Sequence, residues 1–310
     1  MIINGDSLEE LRKLASGSVQ CVVTSPPYYG LRDYGVDRQI GIEKTPEEYV
    51  NKLVVIFREI NRILNDTGTL WLNLGDSYNG SGKGVNADGR PGKSGNISKG
   101  NKGTQVGVFA KSNVDGLKDK DLIGVPWMVA FALRNDGWYL RQDIIWSKPN
   151  PMPESVKDRC TKSHEYIFLF SKNKKYFYNH EAILQPYTKP MNRWGGDKLV
   201  ANGRSEWDND TGQKIYRDGN MRPNPSGKNR RSVWEITTKP FRGAHFAAFP
   251  QEIPELCIKA GSKVGDTILD PFLGSGTTAM VAKKLERKFI GIEINSEYVK
   301  IAQERLFNSD

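Results

Sequence analysis

Ser25-Pro26-Pro27-Tyr28, which follows the apolar run Val19-Gln20-Cys21-Val22-Val23, brings together the groups needed to hold a planar ring that carries an amine. Two consecutive prolines supply no backbone N–H and keep the chain stiff and extended, so the preceding strand must stop there. The elbow then presents a hydroxyl, free carbonyls and an aromatic ring at the C-terminal edge of a sheet. Such acceptors take amine hydrogens, and the ring of Tyr28 stacks on the face of the guest. A plain turn after a strand uses the same residue types. A second constellation has to decide between the two.

That constellation lies near the other end of the chain. Asp266-Thr267-Ile268-Leu269-Asp270-Pro271-Phe272-Leu273-Gly274-Ser275-Gly276-Thr277-Thr278 reads as a strand, a Gly-rich turn and the entry to a helix over residues 279–285. A further strand over residues 288–292 ends at an acidic residue, Glu293. In a β-α-β unit of this kind glycines let the backbone approach a ligand, and the carboxylate after the second strand accepts from ribose hydroxyls. Gly274 and Gly276 lack the third glycine of the dinucleotide fingerprint, so a pyrophosphate is not the expected guest. Taken alone, this motif also suits a tight strand-to-helix turn in an ordinary α/β domain.

Taken together, the two motifs resemble those of the DNA amino-methyltransferases, which move a methyl group from S-adenosylmethionine to an exocyclic amine. The family's catalytic motif, [Asp/Asn/Ser]-Pro-Pro-[Tyr/Phe/Trp], corresponds to Ser25, Pro26, Pro27 and Tyr28. Its cofactor motif, Phe-x-Gly-x-Gly, corresponds to Phe272 to Gly276. The catalytic motif comes first, which resembles the family's β group, a circular permutation of the standard order. Three smaller pieces agree. His245-Phe246-Ala247-Ala248-Phe249-Pro250 is similar to a segment that helps wall the cofactor site. Asn4-Gly5-Asp6 is similar to an acidic turn whose Asp contacts the adenine. The stretch from Ile144 to Pro153 is similar to the strand and loop beside the target base.

The resemblance implies a class I methyltransferase with S-adenosylmethionine as cofactor. Ser25 Oγ and the Pro26 carbonyl would polarise the amine while Pro27 and Tyr28 complete the base site, Tyr28 stacking on a base flipped out of double-stranded DNA. Direct in-line attack on the methyl follows, and the excess proton passes to solvent or through Ser25. Asp270 would face the amino or sulfonium end of the cofactor, Glu293 its ribose and Asp6 its adenine. His245, Phe249, Pro271, Phe272, Gly274, Ser275, Gly276 and Thr277 would complete the cofactor site. Serine in the first motif position favours N4 of cytosine, with N6 of adenine as the alternative. Methylation of RNA or of a protein glutamine, and a non-enzymatic DNA-binding module, are the readings from other classes. A homodimer and a cognate restriction endonuclease are the partners that the resemblance allows.

The elements that must position these groups follow from periodicity. Residues 7–14 fit a short helix and Val19–Thr24 a strand. Residues 46–64 fit an amphipathic helix, with Tyr49, Leu53, Phe57, Ile60 and Leu64 on one face. Asp66-Thr67-Gly68 is expected to turn the chain into a strand over residues 69–74. A helix over residues 126–135 precedes strands over residues 139–146 and 166–171. Helices over residues 252–259 and 297–306 complete the pattern. Alternating strands and helices predict a doubly wound, Rossmann-like, mostly parallel α/β sheet, with ligands at the carboxyl ends of its strands.

Composition is consistent with this reading. The 310 residues carry a net charge of +9, which suits a polyanionic partner. No run of 18 apolar residues exists and the chain opens on the strand-like Met1-Ile2-Ile3, so neither a membrane span nor a signal peptide is expected. Three scattered cysteines point to a reduced, cytoplasmic protein, and three dispersed histidines give a metal site no support. The expected organisation is a catalytic part over residues 1–184, a target-recognition region over residues 185–242 and a cofactor part over residues 243–310. The first contains a basic Gly-rich loop, residues 77–120, offering Lys83, Arg90, Lys93, Lys99 and Lys102 to phosphates. The recognition region mixes Arg193, Arg204, Arg217, Arg222, Arg230 and Arg231 with Trp194, Trp207, Tyr216 and Trp234. Lys148, beside the target base, is the remaining expected DNA contact.

Overall fold

A computed structural model of the chain describes residues 1–31, 34–80, 114, 116–186, 226–238 and 249–308. Two compact units emerge, one formed by Met1–Tyr178 with Ser232–Asp310 and the other by Asn179–Arg231. The larger unit holds an eight-stranded sheet among the described residues. Its strands are β1 (Ile2–Asn4), β2 (Val19–Thr24), β3 (Leu64–Leu74), β4 (Tyr139–Ser147), β5 (His164–Ser171), β6 (Val233–Glu235), β7 (Thr267–Asp270) and β8 (Lys288–Glu293). In space they run β1-β8-β7-β2-β3-β5-β4-β6.

The helices are α1 (Ser7–Lys13), α2 (Pro46–Ile63), α3 (Val125–Asn135), α4 (Glu252–Gly261), α5 (Thr277–Lys284) and α6 (Ser296–Phe307). The longest, α2, shows how local chemistry sets an element. Thr45 caps its N-terminus by accepting from Glu48 N (3.2 Å), Pro46 stands in the first turn, and Arg62 lies in the last. Tyr49, Val50, Leu53, Ile56, Phe57, Ile60 and Ile63 are buried. Each full burial of this kind contributes about 1.5–3 kcal/mol.

β2 is buried along its whole length, paired in parallel with β7 on one side and β3 on the other. That central position explains its unbroken apolar run, because both faces of the sheet are covered. β7 pairs in parallel with β8, and β8 with β1, so the strand carrying the first residues of the chain lies beside one of its last.

The observed elements differ from the sequence expectation in three ways. β5 runs antiparallel to both β3 and β4, because no helix separates β4 from β5. β3 begins at Leu64, directly after α2, rather than beyond a turn at residues 66–68. A short strand, β6, falls inside the stretch read as irregular and pairs in parallel with β4. Trp234 on β6 is buried, its ring centre 6.3 Å from that of Trp71.

The smaller unit has a single 3-10 turn, Glu181–Ile183, among its described residues. Gln185 and Lys228 exchange backbone hydrogen bonds of 2.8 and 2.9 Å, and Arg230 Nε donates to the Ile183 carbonyl (2.9 Å). Among the described residues no helix is long and apolar enough to cross a membrane.

Candidate active site

Five parallel strands, β1, β8, β7, β2 and β3, end at one edge of the sheet, and the antiparallel β5 begins there. A cavity of about 810 Å³ opens at that edge. It is lined from both ends of the chain.

On one side stand the carboxylates. Asp270 ends β7 and is 3% exposed. It accepts from Thr24 Oγ1 (2.7 Å), Thr278 Oγ1 (2.6 Å) and the Phe272 amide (3.1 Å). Burial raises its pKa to about 6, against the lowering effect of those three donors. Glu293 ends β8, where the Gly274 amide donates to Oε2 and the Asn295 amide to Oε1, both at 2.8 Å. Burial pushes this carboxyl up as well. Asp6 follows β1 and caps α1, accepting from the Leu8 and Glu9 amides with the same oxygen, Oδ1 (2.9 and 3.1 Å).

The Gly-rich turn joins these groups. Gly274, Ser275 and Thr277 line the cavity together with Pro271, Phe272 and Phe249. Gly276 does not line it; with φ +84° it leads into α5, and a Cβ there would lie 2.8 Å from the Cβ of Ala302. Its missing side chain lets α6 close on the turn. Arg305 of α6 donates to the Ser275 carbonyl (2.6 Å) and to Ser275 Oγ (2.7 Å), so the turn is braced from behind.

On the other side lies the elbow after β2. Ser25, Pro26, Pro27 and Tyr28 all line the cavity. Tyr49 Oη donates to the Pro27 carbonyl (2.8 Å), while the Pro26 carbonyl accepts no bond from the described residues. Ser25 Oγ donates to Tyr28 Oη (3.4 Å). The Tyr28 hydroxyl is shared between Glu165 Oε2 (2.6 Å) and Asn73 Oδ1 (3.1 Å). Asn73 Nδ2 in turn donates to the same Glu165 oxygen (3.2 Å), and Lys148 forms an ion pair with the other. The Lys148 ammonium lies 4.3 Å from the centre of the Trp146 ring. Burial, and then the charge of Glu165, lifts the Tyr28 phenol well above its ordinary pKa, so it stays neutral.

Lys162 also lines the cavity and donates to the Asp76 carbonyl (2.6 Å); burial lowers its pKa. Asn73, Glu165 and Lys162 were not among the expected site residues. A signal for the first two exists, since each is a polar residue at the end of a strongly apolar strand, Leu70-Trp71-Leu72-Asn73 and Glu165-Tyr166-Ile167-Phe168. Among the expected DNA contacts, Lys148 is at the cavity, and Arg230 and Arg231 belong to the smaller unit. His245, Lys83, Arg90, Lys93, Lys99, Lys102, Arg193, Arg204, Arg217 and Arg222, with Trp194, Trp207 and Tyr216, lie outside the described residues.

Residues 19–304 match the family described as DNA methylase, which groups N6 and N4 methyltransferases. The chain is 47% identical over 309 residues to the type II methyltransferase M.Cfr9I of Citrobacter freundii, covering all of this chain and 88% of that one. It is 47% identical over 305 residues to M.SmaI of Serratia marcescens, covering 98% of this chain and 90% of the relative. In fold it is similar to the PvuII DNA methyltransferase, described as cytosine-N4-specific, with a TM-score of 0.63 at 19% identity over 98% of this chain and 85% of the other. A putative DNA modification methylase of Thermus thermophilus, solved with S-adenosyl-L-methionine, has a TM-score of 0.59 at 22% identity, over 99% of this chain and 93% of that protein.

Proposed function

The chain belongs to the DNA methylase family of N6 and N4 amino-methyltransferases, and on that premise we propose that its target atom is the exocyclic N4 of cytosine in a specific duplex sequence. It is an S-adenosylmethionine-dependent enzyme acting on DNA. The observation that carries the finer reading is Ser25, a hydroxyl in the first motif position, placed at the cavity with its Oγ turned to Tyr28. The N6 of adenine is the alternative that the same motif serves.

The residues on the carboxylate side fit the cofactor. A carboxylate has about four lone-pair sites. Each oxygen of Glu293 uses one on a backbone amide, which leaves room for two ribose hydroxyls. Asp6 Oδ2 accepts no bond from the described residues, so it suits an adenine amine. Three carboxylates at one end also suit a cation. Bound there, the cofactor supplies an electrophilic methyl group on a sulfonium sulfur.

The rest of the chemistry belongs to the elbow. An exocyclic amine is a poor nucleophile because its lone pair is delocalised into the ring. Ser25 Oγ and the Pro26 carbonyl would accept its two hydrogens and draw the nitrogen towards sp³ geometry. Tyr28 would carry the flipped base on its ring while its hydroxyl is held from below. The rate then comes from holding nitrogen and methyl in line, with electrostatic help from the acceptors. The 47% identity to type II methyltransferases supports a protective role beside a cognate endonuclease. Basic residues of the two insertions would bind the phosphate backbone, and a homodimer is the assembly proposed for the chain.

Mass spectrometry of nucleosides from plasmid DNA of cells expressing the chain tests the target. N4-methylcytosine is the expected product. N6-methyladenine would keep the fold, cofactor and mechanism and overturn the reading of Ser25.

A further inference from the structure

A nitrogen that gains a methyl carbon must shed a proton, and the acceptor hydroxyl of Ser25 cannot store one. The geometry points to Glu165 as the final acceptor: we propose that the amine proton reaches Glu165 through the hydroxyls of Ser25 and Tyr28. The inference rests on the amino-methyltransferase reading and is independent of which base is the target.

Three observations carry it. The hydrogen bonds have one direction, Ser25 Oγ donating to Tyr28 Oη (3.4 Å) and Tyr28 Oη donating to Glu165 Oε2 (2.6 Å). Each donor is therefore already aimed at the next acceptor. Second, stacking on a base needs only a ring, yet the Tyr28 hydroxyl has three partners, Ser25, Asn73 and Glu165. Asn73 is an amide that takes up no proton, and it bonds both Tyr28 and Glu165, so it fixes their geometry. Third, the Glu165 side chain is 15% exposed, which gives water a route by which to remove the proton afterwards. Its other oxygen is paired with Lys148.

The step balances. As the nitrogen–carbon bond forms and the carbon–sulfur bond breaks, the sulfonium charge disappears. The amine N–H bond breaks with its electrons staying on nitrogen, and the proton passes to Ser25 Oγ. The Ser25 hydroxyl proton moves to Tyr28 Oη, and the Tyr28 proton to Glu165 Oε2. Ser25 and Tyr28 end as they began. One cation and one carboxylate charge vanish together, so net charge in the cavity is conserved.

The test uses the full-length chain with cofactor and duplex DNA, measuring single-turnover methylation of wild type, Tyr28→Phe, Glu165→Gln and the double variant. Base extrusion is followed by 2-aminopurine fluorescence and cofactor affinity by calorimetry. Each single variant is expected to slow transfer about a hundredfold, with the double no slower than either. Extrusion and cofactor affinity stay at wild-type values. In wild type the solvent deuterium effect should report more than one proton in flight, and in Tyr28→Phe it should collapse. A Tyr28→Phe variant as fast as wild type overturns the relay, because the proton then leaves Ser25 for water directly. So does a Glu165→Gln variant whose loss of rate tracks a loss of extrusion, which would make Glu165 a structural support. A wild-type chain that methylates no DNA base sinks the underlying reading, and the relay with it.

Discussion

The two sides of the cavity are built from different materials. On the β7–β8–β1 side the ligand-facing carboxylates are held mostly by backbone amides and by residues close to them in sequence, with Thr24 Oγ1, 246 positions from Asp270, as a distant partner. Asp270 is bound by Phe272 and Thr278, Glu293 by Asn295 and Gly274. On the β2–β3–β5 side the facing groups are held by side chains from distant strands. Tyr28 depends on Asn73, 45 positions away, and on Glu165, 137 positions away. The first side is a cradle whose geometry largely follows the main chain, as suits a cofactor that is the same in every turnover. The second is a network of protonatable and rotatable groups, as suits a nucleophile that must be gripped and deprotonated. Charge differs as well: Asp6, Asp270 and Glu293 stand on the first side, whereas on the second the carboxylate of Glu165 is paired with the ammonium of Lys148.

If that division holds, substitutions should separate cofactor binding from base chemistry. The largest effect is expected for Ser25→Ala, which removes an acceptor from the amine. Methylation should fall by about a hundred- to a thousandfold, with cofactor affinity measured by calorimetry unchanged. Loss of cofactor affinity as well would break the comparison.

The carboxylate side should reveal itself in stability. The folded protein holds the Asp270 proton more tightly than the unfolded chain does, since its pKa rises from 3.8 to about 6. Its stabilising contribution is therefore complete below about pH 4 and lost as pH rises through about 6. A rise of roughly two units corresponds to about 3 kcal/mol. Urea unfolding between pH 4 and 7 should show this decline relative to Asp270→Asn; identical pH profiles for the two proteins would contradict it.

Tyr28→Ala removes the stacking surface and should weaken base extrusion by about 1–3 kcal/mol. 2-Aminopurine fluorescence measures it, and cofactor affinity is again the control. Two glycines give the finest contrast. A Cβ at Gly75 would lie 2.6 Å from Cε2 of Tyr28, so Gly75→Ala should displace that ring and slow methylation at nearly unchanged melting temperature. Gly276→Ala combines a positive φ with the contact to Ala302 and should cost about 1–3 kcal/mol of stability. Equal effects of the two on melting temperature would erase the distinction.

Legibility in the sequence follows the same line. The Gly-rich turn and its carboxylates were readable because most of their partners lie within about twenty positions, so motif spacing carries the geometry; Thr24 on Asp270 is a partner that spacing did not give. The elbow was readable as chemistry, since Pro-Pro dictates a stop and Ser and Tyr name the groups on offer. What supports the elbow was not readable, because Asn73 meets Tyr28 only through the pairing of β3 with β2, and Glu165 only after β5 has inserted antiparallel between β3 and β4. Alternation of strands and helices argued for parallel neighbours there, and a β4–β5 connection without a helix overrode it.

By itself, then, the order of residues determined which chemical groups this protein brings to a ligand and at which strand ends they sit, because prolines, glycines and apolar runs act locally. Only the tertiary structure decided which of those groups touch. Sheet order sets neighbours across the whole length of the chain, and that order is decided only when the eight described strands pair into one sheet.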